Sequence, residues 1–290
     1  MGFGARLMAA AEATDRVLAA ALDPATRVPA RLAEATRYAV LGGGKRFRPL
    51  LVIEAAALFD APADAATTVG AAFECLHAYS LVHDDLPAMD DDDLRRGRPT
   101  VHKAFDEATA ILVGDGLQAL AFELITSPAV PAARAGALAN VLALAAGNAG
   151  MVGGQYCDLN AFDLDEEGVG RMQAMKTGAL IAAACEAGAV LAGAEDEHRV
   201  RLRSFGEHLG AAFQLADDLL DVEGTTAETG KRVGKDAAGR KATIPARFGA
   251  EEAHRRLEAR VAAARACLEP YGERAAVLVE ACRFVAERRS

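Results

Sequence analysis

The stretch FECLHAYSLVHDDLPAMDDDD, residues 73–93, decides the fold. Its first half sets Phe73, Leu76, His77, Ser80, Leu81 and Asp84 at spacings of 3, 1, 3, 1 and 3, which is one face of a helix. That face is predicted to be buried and to point at Asp84. In the second half, six of the ten residues 84–93 are Asp, where average usage gives about one or two. An acidic run is ordinarily a solvated loop, but this one extends an apolar helix. Carboxylates crowded at a helix C-terminus repel one another and the helix dipole unless cations compensate them. Divalent metal is the natural compensation. An EF-hand is excluded, because a loop opening at Asp90 would need Gly at Arg95 and Glu at Val101.

A second acidic segment, FQLADDLLD at 213–221, stacks Asp217 and Asp221 one turn apart with Asp218 beside them. Alone, three acids on a helix describe a solvated face. Here Phe213, Leu215, Ala216, Leu219 and Leu220 leave almost no other polar surface than Gln214, so the acids read as buried with metal. Mg²⁺ suits this all-oxygen donor set, and two such clusters face to face would hold a metal-bridged diphosphate. The pair His83-Asp84 also fits a metal phosphohydrolase, but that reading explains neither Asp90–Asp93 nor the second cluster.

Outward from these segments, Ala-rich helical sequence fills nearly the whole chain, and no run alternates long enough to argue for a sheet. Breaks are predicted at Gly42–Gly44, Asp60–Asp64, Ser127–Pro131, Asp163–Glu167 and Gly224–Thr243, none of them a domain linker. The expectation is an all-α, single-domain bundle over residues 1–290, with roughly ten or more helices. With 52% hydrophobic and 25% charged residues the chain can bury a large core. Its net charge of −9 argues against nucleic acid as a partner. The nine Asp of the two segments account for the whole acidic excess. Five Cys without a metal-type spacing suggest a reducing compartment, here the cytoplasm. The N-terminus lacks the apolar core of a signal peptide. Ala137–Gly154 and Gly178–Ala194 are apolar but interrupted by Asn140, Asn148 and Glu186, so an integral membrane protein is not expected.

Only six of the 32 basic residues are Lys. Most sit in Gly- or Asp-flanked patches, namely GGGKRFRP (42–49), KTG (176–178) and GKRVGKD (230–236). Such patches suit phosphate, Lys as a compact charge and Arg as a fork. A P-loop is excluded, because Ala39 and Arg46 stand where it needs Gly and Ser or Thr. His77, two turns before Asp84, is a credible phosphate donor.

Taken in order with DDLPAMDDDDLRRGRPT (84–100) and GGQYCDL (153–159), these motifs resemble the trans-isoprenyl diphosphate synthases, most closely their bacterial farnesyl type. The resemblance runs over about residues 40–245; Phe47 and Ile244 are small departures. It implies the isoprenoid-synthase bundle with a central active-site cavity, usually homodimeric, joining isopentenyl diphosphate to allylic diphosphates (dimethylallyl, geranyl). It implies three Mg²⁺ held by Asp84, Asp90 and Asp217, with Asp85, Asp218 and Asp221 nearby. Lys45, Arg48, His77 and Arg96 would grip isopentenyl diphosphate. Arg95, Lys176 and either Lys231 or Lys235 would grip the allylic diphosphate, while Thr177 and Gln214 face the cationic carbon and residues 224–240 close over it. The residues five and four before the first Asp, Tyr79 and Ser80, would floor the chain cavity and favour a C15 product over C20 or C10. A non-catalytic subunit of a heteromeric synthase would commonly lack one Asp motif, and a terpene cyclase has no use for the isopentenyl set.

Overall fold

The structure, a computed structural model, describes residues 2–23, 28–160, 165–223 and 244–287. Those residues form fourteen α-helices and one two-stranded hairpin. The first seven helices are α1 (Phe3–Ala21), α2 (Ala30–Val40), α3 (Phe47–Ala57), α4 (Ala63–Asp84), α5 (Val101–Ala104), α6 (Glu107–Ile125) and α7 (Ala132–Ala146). Then come α8 (Met151–Leu159), α9 (Glu166–Gln173), α10 (Ala179–Ala192), α11 (Asp196–Glu223), α12 (Ile244–Phe248), α13 (Ala250–Leu268) and α14 (Ala276–Ala286). A π-helical turn, Ala174–Gly178, joins α9 to α10, and a 3₁₀ segment, Glu269–Ala275, joins α13 to α14. The all-α expectation holds. Its one departure is the hairpin of β1 (Leu94–Arg95) and β2 (Arg98–Pro99), too short to leave an alternating pattern. Arg96 (φ 53°) and Gly97 (φ 74°) turn it, and the left-handed backbone at both central residues matches strand twist.

α4 lies at the centre, packed by α1, α2, α3, α6 and α10. Its burial corrects the one-faced reading: Ala72, Cys75, Tyr79 and Val82 are as buried as Phe73 and Leu76. The stripe His77, Ser80, Leu81, Asp84 is instead the half-open one, because it faces a cleft rather than another helix. α10 is the second central helix, held close to its neighbours by small residues. A Cβ on Gly188 would come within 2.5 Å of the Ala56 backbone in α3. Glu186, which interrupts this apolar helix, is 7% exposed and pairs with Arg199 and Arg203 of α11. By length and composition, Glu107–Ile125, Ala132–Leu159 and Glu166–Ala192 would each suffice to cross a membrane, more than the sequence reading allowed. The last is 72% buried by the other helices of the bundle. All five cysteines are free thiols, and burial pushes those of Cys75, Cys185 and Cys282 up, the last to about 12.

Candidate active site

α4 ends at Asp84, and the chain then folds back on it. The backbone N–H of Asp90 donates to the Asp84 carbonyl at 2.9 Å, and that of Asp92 to the Asp85 carbonyl at 3.2 Å, which satisfies two carbonyls that a helix end leaves open. Asp90 is exposed at the mouth of the cleft, and Asp93 lies outside it, paired with Lys103 at 2.8 Å. The hairpin then returns Arg95 to the helix end, where its Nε and Nη2 fork onto Asp85, Nε lying 2.9 Å from Oδ1. Burial pushes the Asp85 carboxyl up, and the Arg95 fork pulls it back. Asp84 has no such fork. Burial raises its carboxyl to about 6, with Lys176 opposing the rise and Asp90 adding to it.

The second segment lies on α11, beside the π-helical turn. Thr177 Oγ1 donates to Gln214 Oε1 at 2.8 Å, Gln214 Nε2 donates to Asp218 Oδ1 at 2.8 Å, and Gln173 Nε2 donates to Asp218 Oδ2 at 2.9 Å. Asp218 is therefore buried with protein donors on both oxygens, while Asp217 and Asp221 are half-buried. Asp85 and Asp218, both expected in the metal set, are thus each tied to side chains of the protein. Lys176 donates to Asp158 of α8 at 2.6 Å. One turn thus faces both acidic segments: Lys176 acts on the charge of Asp84, and Thr177 is bonded to Gln214. Widened π-helical turns of this kind recur at functional sites because they re-aim side chains that an α-helix would stack.

A third cluster is basic. A cavity lined by Arg46, Glu74, His77, Arg95, Arg96 and Arg98 opens between α2, α4 and the hairpin. Burial, then the guanidinium groups of Arg48, Arg96, Arg95 and Arg46, hold the His77 imidazole well below the usual histidine range, so it is neutral at pH 7. Lys45 is exposed and sits 5.4 Å over the Phe284 ring of α14, and Arg48 is in the first turn of α3. Arg96 reaches the Gly43 carbonyl. Below Asp84 on α4, Tyr79 is buried edge-on to His83, and burial with the nearby Asp84 charge raises its hydroxyl to about 12. Ser80 turns its hydroxyl back to the His77 carbonyl at 2.8 Å. Lys231, Lys235 and the closing segment 224–240 lie outside the described residues.

Among the described residues no three His, Cys, Asp or Glu side chains converge as a ready-made metal site. Mg²⁺ seldom needs one, since it is commonly held by one or two carboxylates, water and substrate phosphate. The residues present fit that ion: every candidate donor is a hard oxygen, and Asp84 is a half-buried carboxylate at the edge of the cleft. Sequence reading missed three groups. Asp158 lay inside the quoted GGQYCDL motif, but nothing in the spacing tied it to Lys176. Gln173 precedes the KTG patch without a motif of its own. The pair Arg46–Glu74 was hidden because a salt bridge between residues 28 apart has no local pattern.

The chain matches the polyprenyl synthetase family model over residues 29–274. It is 41% identical over 266 residues to the farnesyl diphosphate synthase of Bacillus subtilis, covering 90% of each chain. It is 44% identical to a chloroplastic geranylgeranyl pyrophosphate synthase of Arabidopsis thaliana over 240 residues, 80% of this chain and 69% of that one. The apo crystal structure of an FPP/GFPP synthase from Zymomonas mobilis superposes with a TM-score of 0.89 and 43% identity over 98% of both chains. Two acidic segments joined through one turn, a basic cavity beside the first and this likeness over nearly the full length lead to one conclusion: the chain belongs to the polyprenyl synthetase family.

Proposed function

We propose that the protein is a Mg²⁺-dependent prenyltransferase that condenses isopentenyl diphosphate with dimethylallyl and geranyl diphosphates to give farnesyl diphosphate. The Lys176–Thr177 turn carries this reading, because it joins the charge of the first acidic segment to the hydrogen-bonded network of the second. Asp84, Asp90, Asp217 and Asp221 would hold Mg²⁺, three ions by family likeness, with Asp85 fixing the end of α4 and Asp218 tying α11 to Gln173. When bound, the metal neutralises charge on the departing diphosphate.

The chain's own groups do the rest. Lys176 adds a cation on the allylic side, and Arg95 orients Asp85 there. Lys45, Arg48, Arg96 and neutral His77 hold isopentenyl diphosphate, His77 giving an N–H without a further charge among the guanidinium groups. The Thr177–Gln214 pair presents fixed dipoles to the allylic cation, and electrostatic preorganisation of this kind lowers a barrier without reorganisation during the reaction. Apolar side chains such as Leu81 and Val82 keep water from that cation. The final proton passes to the diphosphate released in the first step, since the described site offers no other base placed for it.

Tyr79, buried one turn and a half below Asp84, is the proposed chain-length floor. Five residues of helix span about 7.5 Å, which suits a C15 rather than a longer product. Exposed apolar side chains on three consecutive helices, Leu112, Leu144 and Tyr156, support a homodimer. One contiguous hydrophobic core supports a single catalytic domain, and buried free thiols are in keeping with the cytoplasm. Purified protein given dimethylallyl diphosphate, isopentenyl diphosphate and Mg²⁺ should yield mainly C15 diphosphate by chromatography. No elongation overturns the reading, and a C20 product replaces it with a geranylgeranyl synthase.

A further inference from the structure

Glu74 is a carboxylate in a cavity built for an anion. It is 3% exposed, and its Oε1 accepts from Arg46 Nη1 at 2.7 Å. Arg46 is itself 2% exposed. It donates from Nε to Asp15 of α1 at 2.8 Å, from Nη2 to the Val40 carbonyl at 2.6 Å, and from Nη1 to the Gly43 carbonyl at 3.4 Å. Its backbone is left-handed, φ 47°, a conformation that a non-glycine residue keeps where its surroundings over-determine it.

These bonds lead to the anion-binding groups. The Gly43 carbonyl that Arg46 reaches is also the acceptor for Arg96. The Arg96 guanidinium lies so close to Gly44 (φ 143°) that a Cβ there would come within 2.6 Å of it. Lys45 and Arg48 flank Arg46 in sequence, so the conformation of Arg46 sets where both begin. A carboxylate pointing at a diphosphate would repel it. Glu74 is compatible with this cavity because Arg46 takes up its charge, and its bonds order the loop that meets the ligand.

We propose that Glu74 is a positioning residue for isopentenyl diphosphate, acting through Arg46 on the 42–48 loop and on Arg96. This rests on the prenyltransferase reading above. Removing the negative charge would by itself tighten diphosphate binding, whereas losing the loop's anchor weakens it, so the direction of change separates the two effects.

The experiment is steady-state kinetics of Glu74→Gln with each substrate varied in turn. The expected result is a KM for isopentenyl diphosphate raised about tenfold, with kcat and the KM for the allylic diphosphate within about twofold of the parent. Asp15→Asn acts on the same guanidinium from its 44% exposed partner, and should raise the same KM about threefold. Should Glu74→Gln fail to fold, Asp15→Asn decides. An unchanged or lowered KM for isopentenyl diphosphate, or equal rises for both substrates, overturns the proposal while the parent enzyme still elongates. A parent protein that does not elongate overturns the prenyltransferase reading, and the proposal with it.

Discussion

The second aspartate of each Asp-Asp pair is turned inward, Asp85 and Asp218 alike being 3% exposed, yet the protein answers the two charges differently. Asp85 meets the guanidinium of Arg95, brought back by a hairpin ten residues later. Asp218 meets two neutral amides, Gln173 and Gln214. A helix C-terminus explains the difference: Asp85 adds its charge to the negative end of the helix dipole and to Asp84 and Asp92, so a cation balances that end. Asp218 lies within α11, where no helix end adds to its charge and dipoles can satisfy its oxygens. In both segments the inward acid is a brace, and its neighbour Asp84 or Asp217 is half-buried.

Removing an acid of the second kind should have the largest effect on rate. Asp84→Ala is expected to lower kcat by about 10²–10⁴ in saturating Mg²⁺, as loss of a metal anchor implies; a near-normal rate would break the division between anchor and brace. The braces should differ in stability. Asp85→Asn leaves Arg95 without its counter-charge and should cost about 2–3 kcal/mol in urea unfolding, whereas Gln173→Ala should cost about 1 kcal/mol. Equal losses would show that the helix end and the helix interior are not electrostatically distinct.

The Asp84 carboxyl gives a pH test. Its folded value of about 6 lies above the ordinary 3.8, so the folded chain holds this proton more tightly. In metal-free protein that contributes stability which is full below about pH 4 and lost as pH rises through about 6. Asp84→Asn should remove this slope, checked by urea unfolding at pH 4 and 7. Mg²⁺ must displace the same proton, so its affinity should fall up to about tenfold per pH unit below 6, measured by calorimetry. The smallest effect on rate concerns the first segment's helix alone: Tyr79→Ala should lengthen the product with turnover within about threefold. An unchanged product distribution would assign the floor to another side chain.

Much of this was legible in local sequence. The Asp run, the i,i+4 pair Asp217–Asp221 and the Gly-flanked Lys patches are short-range patterns, and short-range patterns survive translation into a helix. The buried face of α4 was read too narrowly, because a helix surrounded on all sides carries no amphipathic stripe to read. The hairpin was invisible, two residues per strand being too few for alternation. Arg46 stood in sequence among residues read as suited to phosphate, but its guanidinium is committed to Asp15, Glu74 and backbone carbonyls.

By itself the sequence determined the all-helical class and the family, because each depends on which residues occur and at what helical spacing. Only the tertiary structure decided which aspartate of each pair faces the cleft, and that Lys176 is held by Asp158 while Arg46 is held by Glu74. Those choices join residues 10 to 45 positions apart, where helical spacing no longer constrains direction and packing alone selects the partner.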